Sequence, residues 1–197
     1  MSALAPTLEA FFTQRLVAQR RSSPNTIAAY RDTFRLLLRF AQQTTGVAPA
    51  KLEFEMLDAQ LVATFLNHLE ADRRVAISTR NARLAAIHSF FGFAALRHPE
   101  HAGLIHRVLA IPAKRADRGT IAYLTPAEID ALLAAPDQST RLGRRDHAVL
   151  LVAIETGLRV SELCGLRRSD VTLGTGAAIT CIGKAVAESF FARLKAL

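Results

Sequence analysis

The residues with the most evident chemistry lie between Glu155 and Val171, in the run ETGLRVSELCGLRRSDV. A helix should end at Gly157, and Arg159 follows that sharp turn at the start of the next helix. The first turn of a helix points unpaired N–H groups outward and favours anions, so an arginine there can clamp a phosphate with help from the backbone. Glu162, three residues on, lies on the same side and can orient the guanidinium. The same spacing also fits a surface arginine paired to a helical glutamate, an arrangement with little effect. Local pattern alone leaves both open.

Other arginines fall in two further groups. Arg31, Arg35 and Arg39 recur every fourth residue and form a stripe beside an apolar helix face. The plain alternative is a solvated face, partly compensated by Asp32. Arg80 and Arg83 lie near the start of a later helix, with Ser78, Thr79 and Asn81 as uncharged donors, and suit phosphate or base-edge contacts. Lys114, Arg115 and Arg118 stand in a stretch without periodicity. The formal charge is +8 and the pI about 10.5, with arginine supplying nearly all the positive charge. Arginine forks match phosphate oxygens bidentately, so this balance favours a polyanion, nucleic acid or an anionic surface, over a merely basic solvated exterior.

Several classes are disfavoured. Cys164 and Cys181 are lone thiols in apolar surroundings that fit no disulfide or metal spacing, so they are expected to pack in a core, and no metal is expected. No apolar run approaches the roughly 18–20 residues of a membrane span. Met1 to Glu9 shows neither a basic leader nor an apolar signal core. A soluble, cytoplasmic protein is the expectation.

The elements that must position these side chains are mostly helical. Leu8, Phe11, Phe12 and Leu16 recur at helical spacing. Ser23-Pro24 is a start signal, followed by an apolar face of Ile27, Tyr30, Phe34, Leu37, Leu38 and Ala41 up to Gly46. Asp58 caps a third helix with Leu61, Phe65, Leu66 and Leu69 inward, and Ser78 a fourth with Leu84, Ile87, Phe91, Ala94 and Ala95 inward. A shorter fifth runs from Pro99 to Leu109. Such helices with short connections imply an all-α bundle. Ile111 to Tyr123 reads as an extended linker, after which Thr125 to Glu128 is a capping box opening a helix through Ile129, Leu132 and Leu133. Arg145 to Thr156 is a nearly all-apolar helix, expected to be buried, and a short helix follows from Val160 to Leu166. Ala177 to Ile182 has strand character with a turn at Gly183-Lys184, whereas Ala187, Phe190, Phe191 and Leu194 have helical spacing.

Taken in order, these motifs resemble the tyrosine recombinases of the phage-integrase type. Thr156 to Asp170 is similar to that family's first arginine motif, and Arg144 to Glu155 to the helix before it. Ser23 to Phe40 and Ser78 to Ala94 resemble the second and fourth helices of its core-binding domain, and the likeness runs from Leu8 to Lys184. The resemblance implies a mainly α fold: an N-terminal SAM-like helical bundle (1–110), a linker (111–123) and an incomplete α+β catalytic domain (124–197). It implies metal-free DNA strand breakage and rejoining through a phosphotyrosine, with Arg159 at the scissile phosphate and Lys184 as general acid. Arg31, Arg35, Arg80, Arg83, Asn81, Lys114 and Arg115 would contact double-stranded DNA. No cofactor is implied, and the partners would be DNA, a further copy of the chain or a full-length recombinase, in a nucleoid-associated role within a mobile element.

Past Lys184 the likeness stops. No histidine has arginine three residues on, and the tyrosines are Tyr30, on an apolar helix face, and Tyr123, in the linker. The expectation is therefore a truncated or frameshifted recombinase, with both family positions vestigial and DNA binding retained. The rival reading is a helical regulatory module that binds protein without touching DNA.

Overall fold

The computed structural model describes residues 4–116, 122–173, 178–181 and 192–193. The chain forms two compact units, Met1–Gly119 and Thr120–Leu197.

The first unit is a bundle of five helices whose boundaries follow from local hydrogen bonding. Helix α1 (Leu4–Ala10) runs on into a π-helical segment, Phe11–Gln19. Phe11 and Leu16 are both fully buried there, and their five-residue separation is close to one turn of the wider helix. Helix α2 (Pro24–Thr45) starts at Ser23, whose hydroxyl accepts from Thr26 N–H at 3.2 Å, and stops at Gly46, which takes φ 74°. Helix α3 (Ala59–Ala71) is capped by Asp58, accepting from Leu61 N–H at 2.8 Å. Helix α4 (Ile77–Ala95) begins one residue ahead of the serine expected to cap it: Ala76 is the cap position, and Ser78 lies inside the first turn. The fifth helix splits into a 3-10 turn (Pro99–His101) and α5 (Ala102–Leu109).

Phenylalanines dominate the core. Phe11 meets Phe90 edge-on at 5.6 Å and Phe34 at 6.1 Å, and Tyr30 stacks on it at 6.2 Å. Leu37, Val62, Leu66, Ile87 and Val108 complete a core that joins all five helices. Burying a set of this size on matching faces is what stabilises helices too weak to persist alone.

The second unit contains α6 (Pro126–Ala134), α7 (Arg141–Thr156), the single turn α8 (Val160–Leu163) and a three-stranded antiparallel sheet in the order β1 (Val171–Thr172), β2 (Ala178–Ile179), β3 (Ala192–Arg193). The capping box forms as expected, with Thr125 and Glu128 each accepting the other's backbone N–H. Helix α7 departs from expectation twice. It starts at Arg141, capped by Thr140, and its apolar residues are only partly buried: Leu150 to Ile154 are half-buried and Val149 is 43 % exposed. Among the residues of this unit whose burial is described, Gly143 and Ile179 are the buried ones. Nor do the cysteines join a core, since Cys164 is exposed and Cys181 half-buried. Of the tail read as helical, Ala192–Arg193 is a strand paired with β2, because ladder bonds from Ala178 and Ile179 decide its backbone.

Candidate nucleic-acid interface

The basic side chains of the first unit converge where α2 passes the α3–α4 connection. Arg31, Arg35 and Arg39 are all exposed on α2, and Arg35 is drawn toward Asp32 at 3.4 Å. Arg39 and Arg73 flank an open groove of about 330 Å³ floored by Leu36, Phe40, Phe65 and Leu69. Arg83, from the second turn of α4, is half-buried, and its Nη1 is enclosed with no hydrogen-bond partner among the described residues. Its pKa is lowered by burial and by the adjacent Arg73, while Asp32 acts in the opposite sense. A guanidinium remains charged at any ordinary pH. Positive charge is thus held here against partial desolvation and a like charge, which an incoming anion would relieve.

Arg80 behaves differently, and the structure corrects its pairing with Arg83 as a surface contact. Its side chain is 6 % exposed and turned inward, with Nε 3.0 Å from Glu70 Oε1. Its Nη1 donates to the Pro112 carbonyl at 3.3 Å and to Asn81 Oδ1 at 3.2 Å. Asn81 is also engaged: Nδ2 donates to the Lys114 carbonyl at 2.6 Å and Oδ1 accepts the Lys114 N–H at 3.0 Å. Lys114 Nζ reaches Glu70 Oε2 at 2.9 Å, while Arg115 is exposed. So Arg80, Asn81 and Lys114 are committed to each other and to Glu70, and a phosphate would have to displace a buried ion pair to reach Arg80. Sequence reading missed Glu70 and Arg73. Arg73 was discernible as a cation in the α3–α4 connection, but nothing local marks Glu70.

In the second unit, Arg159 is the cap residue of α8 and its side chain is 72 % exposed. Glu162 accepts from both its guanidinium, Nη1 to Oε1 at 2.9 Å, and its backbone N–H, to Oε2 at 2.8 Å. Those two bonds, the backbone one first, hold the Glu162 carboxyl below the usual glutamate range. The guanidinium is therefore oriented yet open to solvent. Lys184 lies outside the described residues, as do the turn at Gly183 and the linker cation Arg118. Tyr123 is 83 % exposed. Among the described residues no cluster of His, Cys, Asp or Glu is suited to hold a metal, and no helix is long and apolar enough to cross a membrane.

Residues 10–98 match the phage integrase N-terminal SAM-like domain, and residues 122–191 match the phage integrase family domain that follows it. The chain belongs to the phage-integrase family of tyrosine recombinases. Among relatives, y4rC of Sinorhizobium fredii (strain NBRC 101917 / NGR234), named for an inferred integrase/recombinase role, is 56 % identical over 93 % of this chain and 55 % of its own length. The tyrosine recombinase XerC of Roseiflexus castenholzii is 36 % identical over 88 % of this chain and 52 % of its own. The chain thus spans about half the length of the curated relatives it matches. The fold is shared with the Tn1549 transposon integrase solved with circular intermediate DNA (TM-score 0.63, 15 % identity, 91 % of this chain and 54 % of that one). It is shared also with the XerH recombinase bound to a palindromic difH substrate (TM-score 0.57, 19 % identity, 84 % and 48 %).

Proposed function

We propose that this chain binds double-stranded DNA through the α2 and α4 face of its N-terminal unit, in site-specific recombination or integration. The observation that carries the reading is Arg83: a half-buried cation set beside Arg73, with Asp32 as its opposing charge, carries a charge that a phosphate would further compensate. Arg31, Arg35 and Arg39 extend the positive surface along α2, and Arg115 continues it from the linker. Family membership and the DNA bound in the two neighbouring recombinase structures support the same partner. Arg80, Asn81 and Lys114 act on this surface indirectly, by fixing the linker.

In the second unit Arg159, oriented by Glu162, is the residue we assign to a phosphate at the exchange site, with Lys184 as the proton donor to the leaving oxygen. No H-x-x-R occurs in these residues, and the tyrosines offer no placed nucleophile, so residues 1–197 alone would occupy DNA without cutting it. Binding should be weak, largely indifferent to sequence and steeply salt-dependent, because each neutralised phosphate releases counterion. The test is fluorescence anisotropy on a labelled duplex across a salt series. A flat salt response, or no binding at low salt, would favour the protein-interaction reading instead.

A further inference from the structure

The linker does not leave the first unit where helix α5 ends. Past Leu109, Ile111 packs against the core and its N–H donates to Val108 O at 3.2 Å, and Pro112 and Lys114 bond to side chains of α3 and α4. Their contacts come from residues more than thirty positions away in the chain: Pro112 from Arg80, Lys114 from Asn81 and Glu70.

The chemistry of this contact is specific. Lys114 presents one backbone donor and one backbone acceptor, and a side-chain amide is the group that supplies the matching acceptor and donor from one planar head. That complementarity also fixes which way the Asn81 amide faces, since the Lys114 N–H must donate and its carbonyl must accept. Arg80 Nη1 donates to the same Asn81 oxygen, holding the amide in register. Glu70 ties the group together from α3, with one oxygen beside Arg80 Nε and the other on Lys114 Nζ. The Arg80 Nε and Glu70 Oε1 atoms are buried and misaligned for a hydrogen bond, so they satisfy each other as a close ion pair. Lys114, first by hydrogen bond and then by charge, and Arg80 after it hold the Glu70 carboxyl below the usual range, against the opposing effect of burial.

We propose that Glu70, Arg80 and Asn81 form a linker clamp that makes Pro112–Lys114 an integral part of the N-terminal unit, so that the connection to the second unit begins at Arg115. The clamp shortens the tether by three residues, Pro112 to Lys114, relative to one starting just past Ile111, and an extended residue spans at most about 3.3–3.6 Å. It also keeps Lys114 from titrating DNA phosphates, leaving Arg115 as the first linker cation available. The first consequence stands whether or not the chain binds DNA, the second rests on the DNA-binding reading, and the clamp itself is measured without DNA.

The experiment is amide hydrogen exchange by NMR on the whole 197-residue protein. The position-114 amide should exchange at least about tenfold more slowly than in a free peptide, the scale of one ordered hydrogen bond in a locally stable segment. Asn81→Ala should return that amide to the free-peptide rate while core amides of α3 and α4 keep their protection, which shows that the fold survives. Free-peptide exchange at position 114 in the wild type, or unchanged protection in Asn81→Ala, would overturn the clamp. Should Asn81→Ala lose its core protection, Lys114→Ala serves in its place, since it removes the tie to Glu70 and no residue of the α3 and α4 core. Trypsin should then cut after Arg115 about tenfold faster than in the wild type, again the scale of one local contact, and an unchanged rate would count against the proposal.

Discussion

Arg80 and Arg83 stand three residues apart on one helix, and the structure assigns them opposite consequences. Replacing Arg80 by alanine removes a guanidinium that is 6 % exposed, strips the Pro112 carbonyl of its donor and leaves the Glu70 carboxylate without its buried partner. Removing the buried guanidinium with its hydrogen bonds costs about 1–3 kcal/mol, and Lys114 still faces Glu70. For a unit of this size that is roughly a 5–12 °C drop in Tm. Arg83→Ala removes a half-buried cation beside Arg73 and should leave Tm within about 2 °C. Its cost falls on DNA binding, about 1–3 kcal/mol, with the slope of log K against log salt reduced by about 1. Arg80→Ala, measured well below its own Tm, should keep the wild-type salt slope. Differential scanning fluorimetry and anisotropy titrations on the same three proteins make the comparison. If Arg80→Ala lowers the salt slope as Arg83→Ala does and leaves Tm in place, the inward orientation of Arg80 is wrong, and with it the division of labour on α4.

Three further outcomes follow from the same geometry. A nicked suicide duplex incubated with residues 1–197 should yield no covalent band on a denaturing gel, because Tyr30 is stacked on Phe11 and Tyr123 lies in the linker segment; an adduct mapped to either would refute this. The carboxyls of Glu70, Glu128, Asp137 and Glu162 are all held low, chiefly by hydrogen bonds from Lys114, Thr125, Ser139 and Arg159 respectively. Folded pKa values below the unfolded ones mean the stabilisation is complete above the unfolded range, about 4, and disappears as pH falls through the folded values. Thermal melts should be flat from neutrality to mildly acidic pH and fall below it; a Tm that rises on acidification there would contradict the assignment. Gly143→Ala should destabilise the second unit by about 1–3 kcal/mol, since a Cβ at that position would overlap the Asp137 carbonyl and the backbone must shift. Unchanged exchange protection along α7 would show that the close approach is not needed.

What the sequence determined by itself is whatever is settled within one or two turns of chain. Ser23, Asp58, Thr125 and Gly157 end or begin their helices as read, because each cap bonds to groups within four positions of itself. The apolar stripe of α2 and the Arg159–Glu162 contact are legible for the same reason: helical spacing alone brings those side chains together. The motif order also carried the family resemblance. Tertiary structure decided the rest. Arg80 and Arg83 look equivalent in sequence, and only the fold brings Glu70 of α3 and the linker backbone against one of them. Helix α7 is apolar enough to be buried, but burial depends on what else packs on it, which no local pattern states. Ala192–Arg193 has helical spacing around it and still forms a strand, because ladder bonds to β2 outweigh a weak local preference. Contacts that close over thirty or more residues are set by global packing, so the side chains that depend on them could be named from the sequence but not assigned their partners.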